Sequence, residues 1–168
     1  GIGKLASEHY LRLYEKDYGI KTTSLRLFNV YGPGQNLANL RQGMASIYMA
    51  QLINQNSIHV MGSGDRFRDF IYIDDVVEAF ISCLKYKQSY NEIINVGTGI
   101  KTSVKNLINS LLDTSKKNAK VKYSGNTSGD IHGIYADVTK FKKLLNINKL
   151  TLIDEGLKKM WLWANNLN

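Results

Sequence analysis

Arg68 follows a Gly62-Ser63-Gly64-Asp65 turn and immediately precedes Asp69. A guanidinium in that place can fork two hydrogen bonds onto phosphate oxygens. It can equally form a surface charge pair with Asp69, which contributes little. Arg66 is the other cation able to take the position, and Arg68 is favoured. Asn29 directly follows the β-branched, apolar run of residues 22–28 (TTSLRLF), and ligand sites in open α/β sheets lie beyond the carboxyl ends of strands. Its amide could meet such a ligand or serve an ordinary turn. Gly97-Thr98-Gly99 invites comparison with a dinucleotide-binding turn, but Thr102 stands where the third glycine belongs. No acidic residue on a following strand completes that unit, so it reads as a tight strand-to-helix turn. No Cys/His cluster has zinc-ligand spacing, no phosphate-loop sequence occurs, and no Ser/His/Asp triad can be assembled from any motif.

The elements that hold these residues must come from 168 residues carrying 22 Lys plus Arg against 14 Asp plus Glu, a net charge of +8. That length buries a sizeable core in one domain or two small ones. The apolar runs fall far short of the roughly 20 residues a membrane span needs, and the N-terminus lacks a secretory layout. Cys83 is the single cysteine; it cannot form an internal disulfide and, among Phe80, Ile81 and Leu84, reads as a buried inert thiol, which fits a reducing cytoplasm. The positive charge permits an anionic partner without choosing one, and clusters such as Lys140, Lys142 and Lys143 lie beside apolar positions at helical spacing, as a solvated helix face does.

Leu5, Ala6, Tyr10, Leu13 and Tyr14 recur every three or four residues, which predicts an amphipathic helix over 4–16 stopping near Gly19. Residues 22–28 read as a strand, 29–40 as a loop with the only proline, 45–54 as a helix, and 58–61 and 70–73 as short strands. Asp74 is the expected cap of a helix carrying Val76, Val77, Phe80, Ile81 and Leu84. A strand at 92–96, a helix from Val104 to Leu112 and a strand at 119–123 follow. Two helices end the chain, one capped by Asp137, the other opened by a Thr151-x-x-Asp154 capping box. Strands separated by helices indicate an α/β fold with mainly parallel pairing, strands 22–28 and 92–96 being neighbours and the first helix packed on them. The chain enters a helix almost at its first residue, as a fragment of a longer polypeptide would.

Five ordered segments, GIGKLASEHYLRLY, SLRLFNVYGPGQ, GSGDRFRDFIYIDDVVEA, NVGTG and GDIHGIYADVTKFKKLL, together resemble the extended short-chain dehydrogenase/reductase family of NAD-dependent nucleotide-sugar epimerases and dehydratases. The resemblance runs from Gly1 to about Trp163. It implies the end of a Rossmann-type parallel sheet, residues 1–30 and 74–100, joined to a smaller α/β nucleotide-sugar-binding domain, 31–73 and 101–168. In a Tyr-x-x-x-Lys motif Lys4 would be the lysine that lowers a phenol's pKa and bonds the nicotinamide ribose; the tyrosine would stand one position before Gly1. Phe28 would lie beside the nicotinamide, Asn29 and Arg68 on the nucleotide diphosphate, His59 and Met61 beside the uracil ring, and Asp130 on the nucleotide's ribose. For Met61 a strand core position is the competing reading, and for His132 a surface loop. Thr127 stands where many members carry an arginine, which removes one diphosphate contact.

The implied activity is that of a UDP-hexose 4-epimerase with NAD as cofactor and a 4-keto intermediate, in a cytoplasmic enzyme that forms a homodimer at full length; this chain alone would be inactive. A nucleotide-sugar 4,6-dehydratase is the alternative within the family. A basic nucleic-acid-binding or regulatory module is the alternative outside it, supported by charge alone and opposed by the buried alternation expected of Phe67, Phe70 and Tyr72. Neither nucleic acid nor membrane is an expected partner.

Overall fold

The computed structural model describes residues 1–41, 43–125, 129 and 131–166. As expected, β1 (Thr23–Leu27) runs parallel to β6 (Glu92–Val96), with Thr23 opposite Glu92 and Leu27 opposite Val96. Phe28 then breaks the strand. Its N–H donates to the Val96 carbonyl at 3.0 Å, and the next residue opens β2 (Asn29–Tyr31), which pairs in parallel with β5 (Phe70–Tyr72). The chain thus changes partner strand at one residue. The loop expected over 29–40 begins only at Gly32, because Val30 and Tyr31 are good strand formers and Tyr31 is buried edge-on against Phe70 and Tyr72. β3 (Ser57–Met61) runs parallel to β8 (Lys120–Ser124). The single antiparallel pair among the described strands, β4 (Phe67–Arg68) with β7 (Thr102–Ser103), is two residues long on each side, too short for any periodicity to announce it.

The helices are α1 (Ile2–Tyr18), α2 (Met44–Gln55), α3 (Ile73–Lys85), α4 (Val104–Ser115), α5 (Thr139–Leu145) and α6 (Ile153–Asn165). Gly19 ends α1 in the left-handed region at φ 68°, where glycine has no Cβ to clash. Two capping expectations are corrected together. Helix α3 starts before Asp74, at Ile73, and α6 starts after an uncapped Leu152; instead Asp75 reaches across the fold and accepts from Thr151 N at 2.9 Å and Thr151 Oγ1 at 3.2 Å. A long-range tie has taken the threonine that local patterning assigned to a capping box, and its partner is Asp75, the neighbour of the Asp74 expected as a cap. Asp137 does serve the start of α5, accepting from the Thr139 N–H at 2.9 Å and its hydroxyl at 2.6 Å.

Two clusters form the core. The larger joins β2, α2, β3, α4 and α6 around Tyr31, Met49, Leu52, Leu107 and Leu157. The smaller joins β5, α3, β6 and α5 around Ile71, Ala79, Ile94, Phe141 and Leu145. Burial and the charge of Asp75 push the Tyr31 phenol above its usual range, so it is a neutral donor to the Ile153 carbonyl. A Cβ on Gly156 of α6 would lie 2.1 Å from that Tyr31 oxygen. Overpacking costs about 1–3 kcal/mol and an alanine gains about 1 kcal/mol of helix propensity. Gly156→Ala is therefore expected to lose about 2 kcal/mol of stability, at the severe end of that overpacking range, as a lower melting temperature by circular dichroism.

The apolar stripe of α1 is exposed in this chain: none of the helix is buried, and Leu5, Tyr10, Leu13 and Tyr14 face out. It lies against β1 through a two-bond pair from Arg26 to Glu8, at 2.8 and 2.7 Å, and through Glu15, which accepts from Lys21 and Asn91. The Arg26 guanidinium holds the Glu8 carboxyl below its usual range. Helix α3 is likewise buried on Val76, Ala79 and Ser82, while Phe80, Ile81 and Leu84 are exposed. Cys83 between these faces is half-buried rather than buried as expected, and desolvation raises its thiol pKa.

Candidate nucleotide-sugar site

Asn29, Arg68 and Asp69 meet where the chain changes sheets. The Asn29 backbone N–H and its side-chain Nδ2 both donate to the Asp69 carbonyl, at 3.0 and 3.2 Å. That fixes the amide just beyond the carboxyl end of β1, where ligands of α/β sheets sit. Arg68, only 9% exposed, donates from Nη1 to the Phe67 carbonyl at 2.8 Å and to the His132 carbonyl at 3.4 Å. The surface Arg68–Asp69 pair weighed from sequence is corrected, since both residues are buried. Asp69 turns its oxygens to Thr98, Gly99 and Ala136. Arg66 folds back on the preceding turn, its Nε donating to the Ser63 carbonyl at 3.0 Å and its Nη2 to the Met61 carbonyl. Its side chain closes that turn, and this separates it from Arg68.

His59 and Met61 share the outer face of β3, because the strand's alternation buries Ile58 and Val60. Met61 is 46% exposed, which overturns the core reading of it. The His59 N–H donates to Gln51 Oε1 at 2.8 Å, and its Nε2 lies 2.6 Å from Ser124 Oγ on β8. Asp130 and Thr127 lie outside the described residues. His132 is exposed as expected, yet its backbone is engaged: its carbonyl accepts from Phe67 N at 3.1 Å as well as from Arg68. Sequence reasoning gave no role to Lys101, whose Nζ sits 4.5 Å from the Tyr135 ring centre and 5.4 Å from that of Phe67. The rings and the lysine come from three separate segments, so no local pattern could have joined them.

Lys4 is exposed in an open groove of about 610 Å³ between α1 and β1, lined also by Leu5, Glu8 and Leu27. Phe28, half-buried at the strand break, is not part of that lining. The Gly97–Gly99 turn offers no second contact to a dinucleotide, because the Thr98 and Gly99 N–H groups both donate to Asp69, each at 2.8 Å. A Cβ on Gly97 would stand 2.6 Å from Asp69 Oδ2, so glycine here admits a carboxylate rather than a pyrophosphate. Among the described residues no group of His, Cys, Asp and Glu could hold a metal ion, and no helix is long and apolar enough to cross a membrane.

A family model described as the NAD dependent epimerase/dehydratase family matches residues 1–97, the stretch that contains Lys4, Phe28, Asn29, His59, Met61 and Arg68. A putative UDP-glucose 4-epimerase of Methanocaldococcus jannaschii is 33% identical over 168 residues, covering all of this chain and 53% of that protein. The fold matches UDP-glucose 4-epimerase of Thermotoga maritima, solved with UDP-glucose, at a TM-score of 0.93 and 32% identity, over 99% of this chain and 53% of that one. It matches UDP-glucuronic acid 4-epimerase of Bacillus cereus, solved with UDP-glucuronic acid and NAD, at 0.88 and 27%, over 99% and 52%. The chain spans about half the length of the curated relatives it matches. The sheet switch at Phe28, the Asn29–Asp69–Arg68 junction and the ordered motifs that carry them agree with these matches: the chain belongs to the NAD dependent epimerase/dehydratase family.

Proposed function

We propose that these residues form the nucleotide-sugar-binding portion, and the end of the cofactor sheet, of an NAD-dependent epimerase that inverts C4 of a UDP-hexose. The supporting observation is the junction at Asp69, where one backbone carbonyl orients the Asn29 amide beside Arg68 at the end of β1. In this reading Arg68 and Asn29 hold the diphosphate, His59 and Met61 flank the base, Asp130 holds the nucleotide's ribose, and Lys4 with Phe28 faces the nicotinamide. Residues 1–30 and 74–100 would serve the cofactor and 31–73 and 101–168 the sugar nucleotide, although α5 of the latter packs Phe141 and Leu145 into the core of β6.

Lys4 and Phe28 would hold the nicotinamide end of NAD, which when bound would supply hydride exchange with the sugar carbon. A phenolate four residues before Lys4 would take the hydroxyl proton, with the Lys4 ammonium lowering its pKa. Inversion through a 4-keto sugar would require Arg68 and Asn29 to hold the diphosphate firmly while the hexose rotates. Assembly as a homodimer is part of the same proposal for the full-length enzyme.

Isothermal titration of the 168-residue chain tests this. UDP-glucose is expected to bind with a measurable heat, whereas NAD is expected to bind weakly or not at all, since the one glycine turn after β6 is occupied by Asp69. Tight NAD binding without UDP-glucose binding would overturn the reading.

A further inference from the structure

We propose that the Asp69 carboxylate is the positioning residue of this site, holding both Asn29 and Arg68 in aim; the proposal rests on the nucleotide-sugar reading above. Asp69 is fully buried, and a buried carboxylate is costly unless every oxygen is bonded. Its Oδ1 accepts from Thr98 N at 2.8 Å and Thr98 Oγ1 at 2.6 Å; its Oδ2 accepts from Gly99 N at 2.8 Å and Ala136 N at 3.0 Å. All four partners donate, so both carboxyl oxygens serve as acceptors.

Three segments far apart in sequence converge on it. One is the turn after β6. The second is the stretch before α5, which Ala136 ties down. The third is Asp69's own strand junction, whose carbonyl takes both Asn29 donors. The second segment also contains His132, whose carbonyl holds Arg68 Nη1. Loss of the carboxylate would therefore release the backbone that orients Arg68 and shift the carbonyl that orients Asn29. Neither effect requires Asp69 to touch a ligand. Gly97 and Gly133 are part of the same device: a Cβ on Gly97 would meet Asp69 Oδ2, and one on Gly133 would lie 2.3 Å from the Phe67 ring, prising the segment off β4.

The experiment compares wild type, Asp69→Ala, Asp69→Asn and the remote Gly156→Ala by titration with UDP, at a temperature where each is folded. Asp69→Ala is expected to weaken UDP binding about a hundredfold, the scale of a 1 Å misplacement, and Asp69→Asn about tenfold, because its amide sets N–H groups against the donor N–H of Thr98 or of Gly99 and Ala136. Gly156→Ala, which loses stability without touching the junction, should stay within twofold of wild type. The Asn29 side-chain amide resonances, followed by nitrogen-15 NMR without ligand, should move in both Asp69 variants and stay fixed in Gly156→Ala. If Asp69→Ala does not fold, Asp69→Asn carries the test. UDP affinity within twofold of wild type in the folded Asp69 variants, with unmoved Asn29 resonances, would overturn the positioning role. Absence of UDP binding by wild type would instead overturn the nucleotide-sugar reading, and the resonances alone would then decide the role of Asp69.

Discussion

Arg68→Ala should weaken UDP-glucose binding by about 1.5–3 kcal/mol, roughly ten- to a hundredfold, the range for a hydrogen bond to a charged group. The guanidinium is planar and forked, and Nη1 is already anchored on the Phe67 and His132 carbonyls, so its plane is set before any phosphate arrives. Because Arg68 is buried, the substitution also removes its bonds to these carbonyls, of which that of His132 keeps the Phe67 N–H, and should lower the melting temperature. Titration well below that temperature separates the two effects. Arg68→Lys keeps the charge without the fork and should recover only part of the affinity. Arg66→Ala should change affinity less than about twofold and act on the turn at 62–65, where its bonds go. Equal dissociation constants for wild type and Arg68→Ala would place the diphosphate elsewhere.

Phe141→Ala is expected to cost about 3–5 kcal/mol, the largest stability loss we foresee, whereas Phe80→Ala should cost less than about 0.5 kcal/mol. Phe141 of α5 is fully buried against β6 and α3, and truncating it leaves a cavity that a seven-residue helix cannot close. Phe80 is 54% exposed on α3. At about 2–4 °C per kcal/mol for a chain of this size, thermal melting separates the two variants clearly. A small shift for Phe141→Ala would mean that α5 contributes little to the second core cluster.

The contrast between these two phenylalanines marks a limit of periodicity. Val76, Phe80, Ile81 and Leu84 all read as one apolar helix, and α3 does form there, but only the Val76 and Ala79 side is packed in the structure. The same holds for α1, which forms where its three- and four-residue repeat predicts a helix while its apolar stripe is exposed in this chain. Spacing reports that a surface is apolar; which neighbour covers it is a tertiary matter.

The parallel pairing of β1 with β6, the six helices and the tight turn at Gly97–Gly99 were all legible in residue order. Each depends on near neighbours: β-branched runs, three- and four-residue repeats, glycines at turns. The ordered motifs were likewise enough to identify the family. What required the fold was the destination of the polar groups. Thr151 and Asp69 each had a plausible local partner, as capping box and surface ion pair, and each is instead bonded to a segment 29 to 76 residues away. The physical reason is burial. Once strands and helices bring such groups out of water, their hydrogen bonds must be made with whatever donors the packing delivers, and sequence spacing says nothing about which those are.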